Sequence, residues 1–439
     1  MNKQKKHRIV IVGGGAGGLE LATRLGRTLG KKGKSDILLI DSRMTHIWKP
    51  LLHEVAAGSL NSYSDELSYF AQAKWNHFRF QPGTMCGLDR TQQTITLTPI
   101  FDNNGVGAQL LPERTVPYDT LVIAVGSHTN VFGTPGAKEH CLFLDTREQA
   151  ERIHHHLLSR SLRDASDEHT IRPTTIAIIG AGATGVELAA ELHNASKIMA
   201  RYGLRESDTT TEMILIEGGP RVLPVLPERI SKGVQRQLDK LGIKTLCGTL
   251  VSKISSKSIE TRDGESIDAD MIIWAAGIKG PKFLQHLDGL ECTPGNQLVV
   301  KQSLQTTLDD NIFALGDCAS CPMTTKAGET LNVPPRAQAA HQQASHLARN
   351  LANSIAGIEL KDFHYRDYGS LISLSSHSAV GNLMGNLTGD IMLEGWLARR
   401  FYVSLYRLHQ IALYGFRKTG LLIVKDLLER STRPNLKLH

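Results

Sequence analysis

Two stretches of the chain share one pattern of apolar and small residues. Residues 9–22 read IVIVGGGAGGLELA and residues 176–189 read IAIIGAGATGVELA. In each, an apolar run predicts a buried strand, a glycine-rich turn follows, and apolar positions then recur at helical spacing. The first unit predicts a strand over 8–12, a helix over 16–30 and a strand at DILLI, 36–40. Strands alternating with helices open a parallel, doubly wound sheet. The period then changes. TQQTITLTP alternates with period two and NNG at 103–105 marks a turn, so residues 90–120 predict short antiparallel strands that lead into the strand TLVIAVGS, 120–127. A polar helical stretch covers 145–170. A second unit starts at Thr175 and runs through the strand MILIE at 213–217, a helix over 228–241 and the strand MIIWAAG at 271–277. TLVIAVGS and MIIWAAGI correspond as well. The order of glycine fingerprint and then apolar strand ending in Ala-x-Gly therefore occurs twice, an internal duplication whose loops have drifted.

Bulk composition narrows the class. A chain of 439 residues has room for two or three domains. Six cysteines make no disulfide scaffold and point to a reducing compartment. The basic N-terminus MNKQKKHR runs straight into a strand without a separate apolar segment, so no secretory or transit signal is expected. No apolar run reaches about 18 residues, so no spanning helix is expected. The net charge of +7 belongs to the tail: residues 395–439 hold nine Lys/Arg and two Asp/Glu, and residues 1–394 sum to zero. That excludes a nucleic-acid groove spread over the body.

The glycines carry the first chemistry. Gly13, Gly15 and Gly18 have the G-x-G-x-x-G spacing, as do Gly180, Gly182 and Gly185. The first glycine permits the tight turn, the second lets backbone approach a pyrophosphate, and the third allows helix and strand to pack closely. Phosphates then sit at a helix N-terminus, where free N–H groups favour anions. Asp41 ends the strand after the first fingerprint and Glu217 the strand after the second, each placed to accept from ribose hydroxyls. Glu217 disfavours a 2′-phosphate, so NADH is expected over NADPH, although Arg221 lies close. The polar segment 194–212 lengthens the second unit. Two cradles imply one cofactor that stays and one that visits, and a flavin reduced by a nicotinamide meets that requirement. In SLQTTLDDNIFALGDCAS, 303–320, an apolar strand ends in Gly316-Asp317, with a helix expected next. Asp317 is placed to accept from a ribityl hydroxyl.

The two fingerprints, TLVIAVGS, MIIWAAGI and NIFALGDC together resemble the two-dinucleotide-binding flavoproteins of the pyridine nucleotide-disulfide oxidoreductase superfamily, over about residues 8–345. The resemblance implies an α/β chain of two Rossmann-like domains, the second inserted in the first, with a C-terminal amphipathic, membrane-binding helical region. FAD belongs to residues 1–150 and 290–350, NADH to 151–289, and the C-terminal region to 351–439. Gly126 and Gly277 end the paired Ala-x-Gly strands and count among the cofactor-binding residues. RAQAAHQQA, 336–344, is similar to the A-Q-x-A-x-Q motif of type II NADH:quinone oxidoreductases. Gln338 and Gln342 share a helix face there and can donate to quinone carbonyls. KPLLHEVAAG, 49–58, is similar to a segment near the flavin, which adds Lys49. The resemblance also puts Glu187 where nicotinamide meets flavin; a carboxylate supporting a helix N-terminus is the plainer reading.

The tail agrees with a lipid-soluble acceptor. GWLARRFYVSLYRLHQIALYGFRK, 395–418, places Leu397, Phe401, Leu405, Leu408 and Ala412 at helical spacing, with Trp396, Tyr402, Tyr406 and Tyr414 and five cations around them. Such a helix lies in a membrane interface, or packs a domain or dimer. The sequence thus predicts a non-pumping NADH dehydrogenase that takes hydride from NADH to FAD and passes electrons to menaquinone or ubiquinone. It would lie on the cytoplasmic face of a bacterial inner membrane, with a homodimer possible. Three rivals share the fold. A disulfide reductase would use Cys318-x-x-Cys321, which falls where that family keeps no active cysteines. A sulfide:quinone oxidoreductase needs two cysteines at the flavin, and only Cys141 offers itself. An apoptosis-inducing-factor-like protein would need neither Gln338 nor Gln342. No metal is expected, since one cysteine pair supplies two zinc ligands of four. His154, His155 and His156 lie on a polar helix and are expected in solvent.

Overall fold

The computed structural model describes residues 6–60, 66–102, 107–166, 173–203, 211–325, 328–374, 379–385, 389–394 and 406–429. Two five-stranded parallel sheets organise the chain. The first has β1 (His7–Val12), β2 (Ser35–Asp41), β3 (Arg79–Pro82), β7 (Thr120–Ile123) and β13 (Ile312–Ala314), in the order β13-β7-β1-β2-β3. The second has β8 (Leu142–Phe143), β9 (Thr175–Ile179), β10 (Glu212–Glu217), β11 (Lys244–Cys247) and β12 (Met271–Trp274), in the order β8-β12-β9-β10-β11. Both run centre-out in the same sequence. They differ in the outermost strand, which the first sheet draws from far down the chain and the second from just before its own β9. The inserted unit thereby lies between two strands of the first sheet. Between its third and fourth strands each unit also carries an antiparallel three-stranded ribbon, at 85–89, 94–97 and 114–117 and again at 251–254, 258–261 and 266–268. The second ribbon extends the duplication beyond the fingerprints.

Among the described residues the α-helices of six or more residues are α1 (Ala16–Leu25), α2 (Leu52–Ala57), α3 (Tyr69–Asn76), α4 (Arg147–Ser166), α5 (Ala183–Arg201), α6 (Glu228–Leu241), α7 (Ala337–Ser354), α8 (residues 406–414) and α9 (Phe416–Glu429). α1 lies along α7. Their shared core joins Ile9, Ile11, Leu39 and Val122 of the first sheet to Leu347 and Leu351 of α7. Each such side chain contributes about 1.5–3 kcal/mol on burial, which fixes α7 over the first cradle. Near the C-terminus, strands 370–373, 379–385 and 389–394 form an antiparallel sheet. No described helix is long and apolar enough to cross a membrane.

Four expectations need correction. The strands read as 120–127 and 271–277 leave their sheets at Ile123 and Trp274, because each Ala-x-Gly turn ends in a left-handed glycine, Gly126 (φ +69°) or Gly277 (φ +67°). After Asp317 there is one helical turn, 316–318, and then short strands at 319–320 and 322–324. Pro322 and the threonines at 324–325 carry no helical period, and the α-helix waits until Ala337. His154 is buried, because α4 leans on α2 and the ring fills the space beside Gly58. In the tail, residues 395–405 lie outside the described residues, and with them Leu397, Phe401 and Leu405. The helical stretch breaks at Gly415 (φ +79°). His409 and Leu413 face the protein, whereas Leu408 of the expected stripe is 53% exposed.

Candidate functional site

Each glycine turn is built the same way. The Gly13 N–H donates to the Ile40 carbonyl (2.8 Å) and the Gly180 N–H to the Ile216 carbonyl (2.7 Å). Gly13 has φ +103° and Gly180 φ +104°. A Cβ on Gly18 would lie 1.8 Å from the Gly13 carbonyl oxygen, and one on Gly185 1.9 Å from that of Gly180. These two positions exclude any side chain. Gly15 and Gly182 cap α1 and α5 without a side-chain hydrogen bond, and a Cβ there would meet nothing within 4 Å. Two helix N-termini thus open on free space with their N–H groups uncapped and no acidic residue in the first turn, which fits the pyrophosphates of FAD and NADH.

Asp41 and Glu217 do more than await a ribose. One Asp41 oxygen accepts from the Gly14 N–H (2.6 Å) and the other from the Arg43 N–H (2.9 Å). One Glu217 oxygen accepts from the Ala181 N–H (2.7 Å) and the other from the Gly219 N–H (2.8 Å). Both carboxylates tie the end of the second strand to the glycine turn. Burial pushes the Asp41 carboxyl up against these two stabilising bonds. Arg221 donates to the carbonyls of Leu223, Pro224 and Leu226, so its guanidinium is engaged by its own loop.

Ser127 gathers the rest of the first cradle. Its hydroxyl donates to Asp317 Oδ2 (2.8 Å), and its carbonyl accepts from the Lys49 ammonium (3.1 Å), which also reaches Asp145 (3.2 Å). Lys49, Gly126 and Asp317 therefore converge, through a serine and an aspartate that no sequence motif singled out. Gln343 Oε1 accepts from the Gly316 N–H (2.7 Å) and so locks α7 onto the Gly316–Asp317 turn. Gly277 lies under the Phe132 ring, 2.3 Å from where its Cβ would be.

Glu187 occupies the fifth position of α5, past the first turn, where support of the helix N-terminus fades. It is buried, its Oε1 accepts from the Ser373 N–H (3.0 Å), and His53 Nδ1 stands 3.7 Å from its Oε2. Burial pushes its carboxyl up to about 8, with Glu54 and Glu191 adding to the rise. Burial brings His53 down to about 4. At neutral pH the pair is a protonated carboxyl beside a neutral imidazole. The fingerprint alignment that places Glu187 also places Glu20, which sequence reasoning passed over. Glu20 is fully buried in α1 and is bonded by Arg24 (2.6 Å), Ser345 (3.0 Å) and His341.

The expected quinone residues on α7 are both engaged. Gln338 Oε1 accepts from the Tyr365 hydroxyl (2.6 Å). Gln342 donates to the Arg366 carbonyl (2.7 Å) and accepts from the Arg366 N–H (3.0 Å), gripping that segment like a strand neighbour. A second unforeseen cluster joins the tail to the first cradle. His46 Nδ1 donates to the Gly14 carbonyl (3.0 Å), which also accepts from Tyr69 (2.7 Å). The remaining ring nitrogen of the neutral His46 accepts from His409 Nε2 (3.2 Å), and Trp48 stacks on His409 with ring centroids 4.1 Å apart. Histidines 363 residues apart in sequence left no local signal. Cys318 and Cys321 are buried, and burial pushes their thiols up to about 11 and about 12; Cys141 likewise rises to about 12. None is poised to act as a thiolate. Among the described residues no cluster of three or more metal-ligating side chains forms.

Residues 7–344 match the family of pyridine nucleotide-disulphide oxidoreductases. The chain is 43% identical to a type II NADH:quinone oxidoreductase of Haemophilus influenzae, over 98% of this chain and 99% of that protein. Its structure is similar to that of NDH2 from Plasmodium falciparum in complex with NADH, with TM-score 0.81 and 21% identity over 99% of this chain and 100% of the other. It is also similar to the sulfide:quinone oxidoreductase of Aquifex aeolicus, with TM-score 0.73 and 20% identity over 93% and 92%. At these identities the structural likenesses report the fold alone.

Proposed function

This chain belongs to the pyridine nucleotide-disulphide oxidoreductase family and, within it, to the type II NADH:quinone oxidoreductases, and from that premise we infer that it oxidises NADH at the second glycine turn and reduces a quinone, menaquinone or ubiquinone, beside the first. The observation that carries this reading is the pair of uncapped helix N-termini at Gly15 and Gly182, each with its carboxylate clasp. The chemistry supplied by FAD bound at the first turn is acceptance of a hydride from NADH and delivery of two electrons to the quinone. The protein's own part is orientation. Gly13, Gly15 and Gly18 with Asp41 hold one pyrophosphate and ribose. Gly180, Gly182 and Gly185 with Glu217 hold the other. Lys49, Gly126, Ser127 and Asp317 border the flavin, and Gly277 the nicotinamide. A neutral Glu187 beside His53 keeps a proton at the junction of the two units. Gln338 meets the quinone, and Gln342 holds the 361–369 segment that flanks it. The FAD domain comprises residues 1–150 and 290–350, and the NADH domain residues 151–289.

The C-terminal region, 351–439, rests on a membrane surface as a peripheral anchor at the cytoplasmic side, where the quinone is reached. α9 supports this with Phe416, Leu421, Val424 and Leu428 exposed next to cations. A homodimer through the same region is the competing use of that face. The test is a visible spectrum of the purified chain, followed by NADH and then a soluble quinone analogue. A yellow protein that bleaches with NADH and recovers colour with quinone meets the proposal. Gln338→Ala should slow recovery by about tenfold and leave bleaching unchanged, as loss of one donor to a carbonyl costs on the order of 1.4 kcal/mol. Equal slowing of both half-reactions would remove Gln338 from the quinone end.

A further inference from the structure

The tail meets the body at a cavity of about 270 Å3 lying between the end of α1, α3 and the corner where α8 passes into α9. Arg27, Trp75, Tyr414 and Lys418 line it. Arg27 Nε donates to Asn76 (2.8 Å), and its two terminal nitrogens donate to the carbonyls of Ala412 (2.9 Å) and Leu413 (2.5 Å). These bonds take up the end of α8 and consume three of the five guanidinium N–H groups. The Lys418 ammonium stands 4.5 Å from the centre of the Trp75 ring. Among the described residues neither cation is paired with a carboxylate. Two cations and two amphipathic aromatics thus share one concavity that carries no anion of its own.

The surroundings decide which anion. Leu421, Val424 and Leu428 form a stripe on α9 at helical spacing and are 71%, 54% and 67% exposed. On the opposite wall α3 exposes Trp75, which is 53% accessible. A free phosphate would satisfy the cations and leave Trp75 and the apolar stripe of α9, which begins one turn beyond Lys418, in water. A molecule with a phosphodiester and two acyl chains covers both. We propose that the cavity is a headgroup site for an anionic phospholipid, its phosphodiester between Arg27 and Lys418 and its chains beside Leu421, Val424 and Leu428. The site rests on the membrane-surface reading above and deepens it: the tail selects headgroup charge as well as apolar depth. Tyr414 and the half-exposed Trp75 occupy the level that such rings take between headgroups and acyl chains.

The experiment uses the flavin-loaded full chain and sedimentation with vesicles of phosphatidylcholine alone or with one-third phosphatidylglycerol. Lys418→Gln should lower binding to the phosphatidylglycerol vesicles about fivefold, the contribution of one cation at an anionic surface, and leave binding to pure phosphatidylcholine unchanged. Arg417→Gln, one residue away and exposed, should lower it by less than half as much. The double change Leu421→Gln with Val424→Gln should weaken binding to both vesicles. Soluble dihexanoyl phosphatidylglycerol should compete with the vesicles, and inorganic phosphate at matched ionic strength should not. If Lys418→Gln binds like the unaltered chain, if Arg417→Gln is equally harmful, or if inorganic phosphate competes as well, the headgroup site is overturned while vesicle binding itself stands. If the unaltered chain binds neither vesicle, or elutes as a dimer with α9 covered, the membrane reading falls and takes the site with it.

Discussion

In the first nucleotide-binding unit Glu20 lies under Arg24, Ser345 and His341. In the second, Glu187 at the equivalent position faces Glu191, Glu54 and a neutral His53. The backbones around the two carboxyls agree closely. The glycine turns have the same left-handed angle, the same carboxylate clasp and the same first hydrogen bond to the neighbouring strand. One difference is the helix position four residues on, which holds Arg24 in α1 and Glu191 in α5; the other is what each helix packs against, Ser345 and His341 for Glu20 and His53 and the Ser373 N–H for Glu187. With a cation there, the buried carboxylate becomes a cross-brace between α1 and α7. Buried without one, Glu187 holds its proton to about pH 8, chiefly through desolvation. A duplication can therefore preserve a glycine-turn scaffold and still give the two equivalent carboxyls different surroundings.

Breaking the shared part should have the largest effect. Gly13→Ala forces a Cβ to 2.3 Å from the Ala124 carbonyl oxygen, and Gly180→Ala forces one to 2.7 Å from Ala276, both at positive φ. Gly13→Ala should purify without yellow colour. Gly180→Ala should stay yellow and lose NADH affinity on the order of 100-fold, read from the rate of bleaching. If both lose flavin together, the two turns do not hold separate cofactors.

Changing the buried carboxyls should come next. Glu20→Ala removes a fully buried carboxyl that takes bonds from the half-exposed Arg24 and His341 and from Ser345, and should cost about 3 kcal/mol in urea unfolding. Glu187→Ala removes a neutral group and should cost less than half of that. Equal costs would erase the contrast between the units.

The pH dependence sharpens the comparison further. A carboxyl whose folded value lies near 8, against 4.5 unfolded, binds more protons in the folded state between those limits. Its contribution to stability therefore falls as pH rises from about 4.5 to 8 and is level outside that window. Glu187→Gln should flatten the fall. The smallest effect belongs to Glu191→Gln, because burial outweighs the neighbouring charge at Glu187. It should shift the pH midpoint down by less than about one unit.

The histidine contact between tail and cradle offers an independent check. His409→Ala removes the partner of His46 and the ring under Trp48. The Gly14 carbonyl then loses part of its support, and flavin release on dilution should quicken several-fold, about 1 kcal/mol, with NADH affinity unchanged.

Much of the scaffold could be read directly from the amino-acid string, since glycine spacing, apolar runs and the repeated Ala-x-Gly are local and follow from steric limits on single residues. Asp41, Glu217 and the six fingerprint glycines fall where those limits place them. The basic balance of the tail is in the string as well, whereas Glu187 was singled out by family resemblance and not by any local pattern. What it lacked was every relation that depends on distant segments meeting. Ser127 with Asp317, His46 with His409, and Gln343 with Gly316 are brought together only when α7 and α8 pack on the first sheet, and no periodicity encodes such a pair. Gln338 and Gln342 share a helix face by their spacing alone, but only packing against residues 365–366 decides which bonds they make. The charge of a buried group follows the same rule. Sequence supplied two glutamates in one motif, and their different surroundings were settled by what each helix came to lie against, because desolvation and the nearest cation act through space.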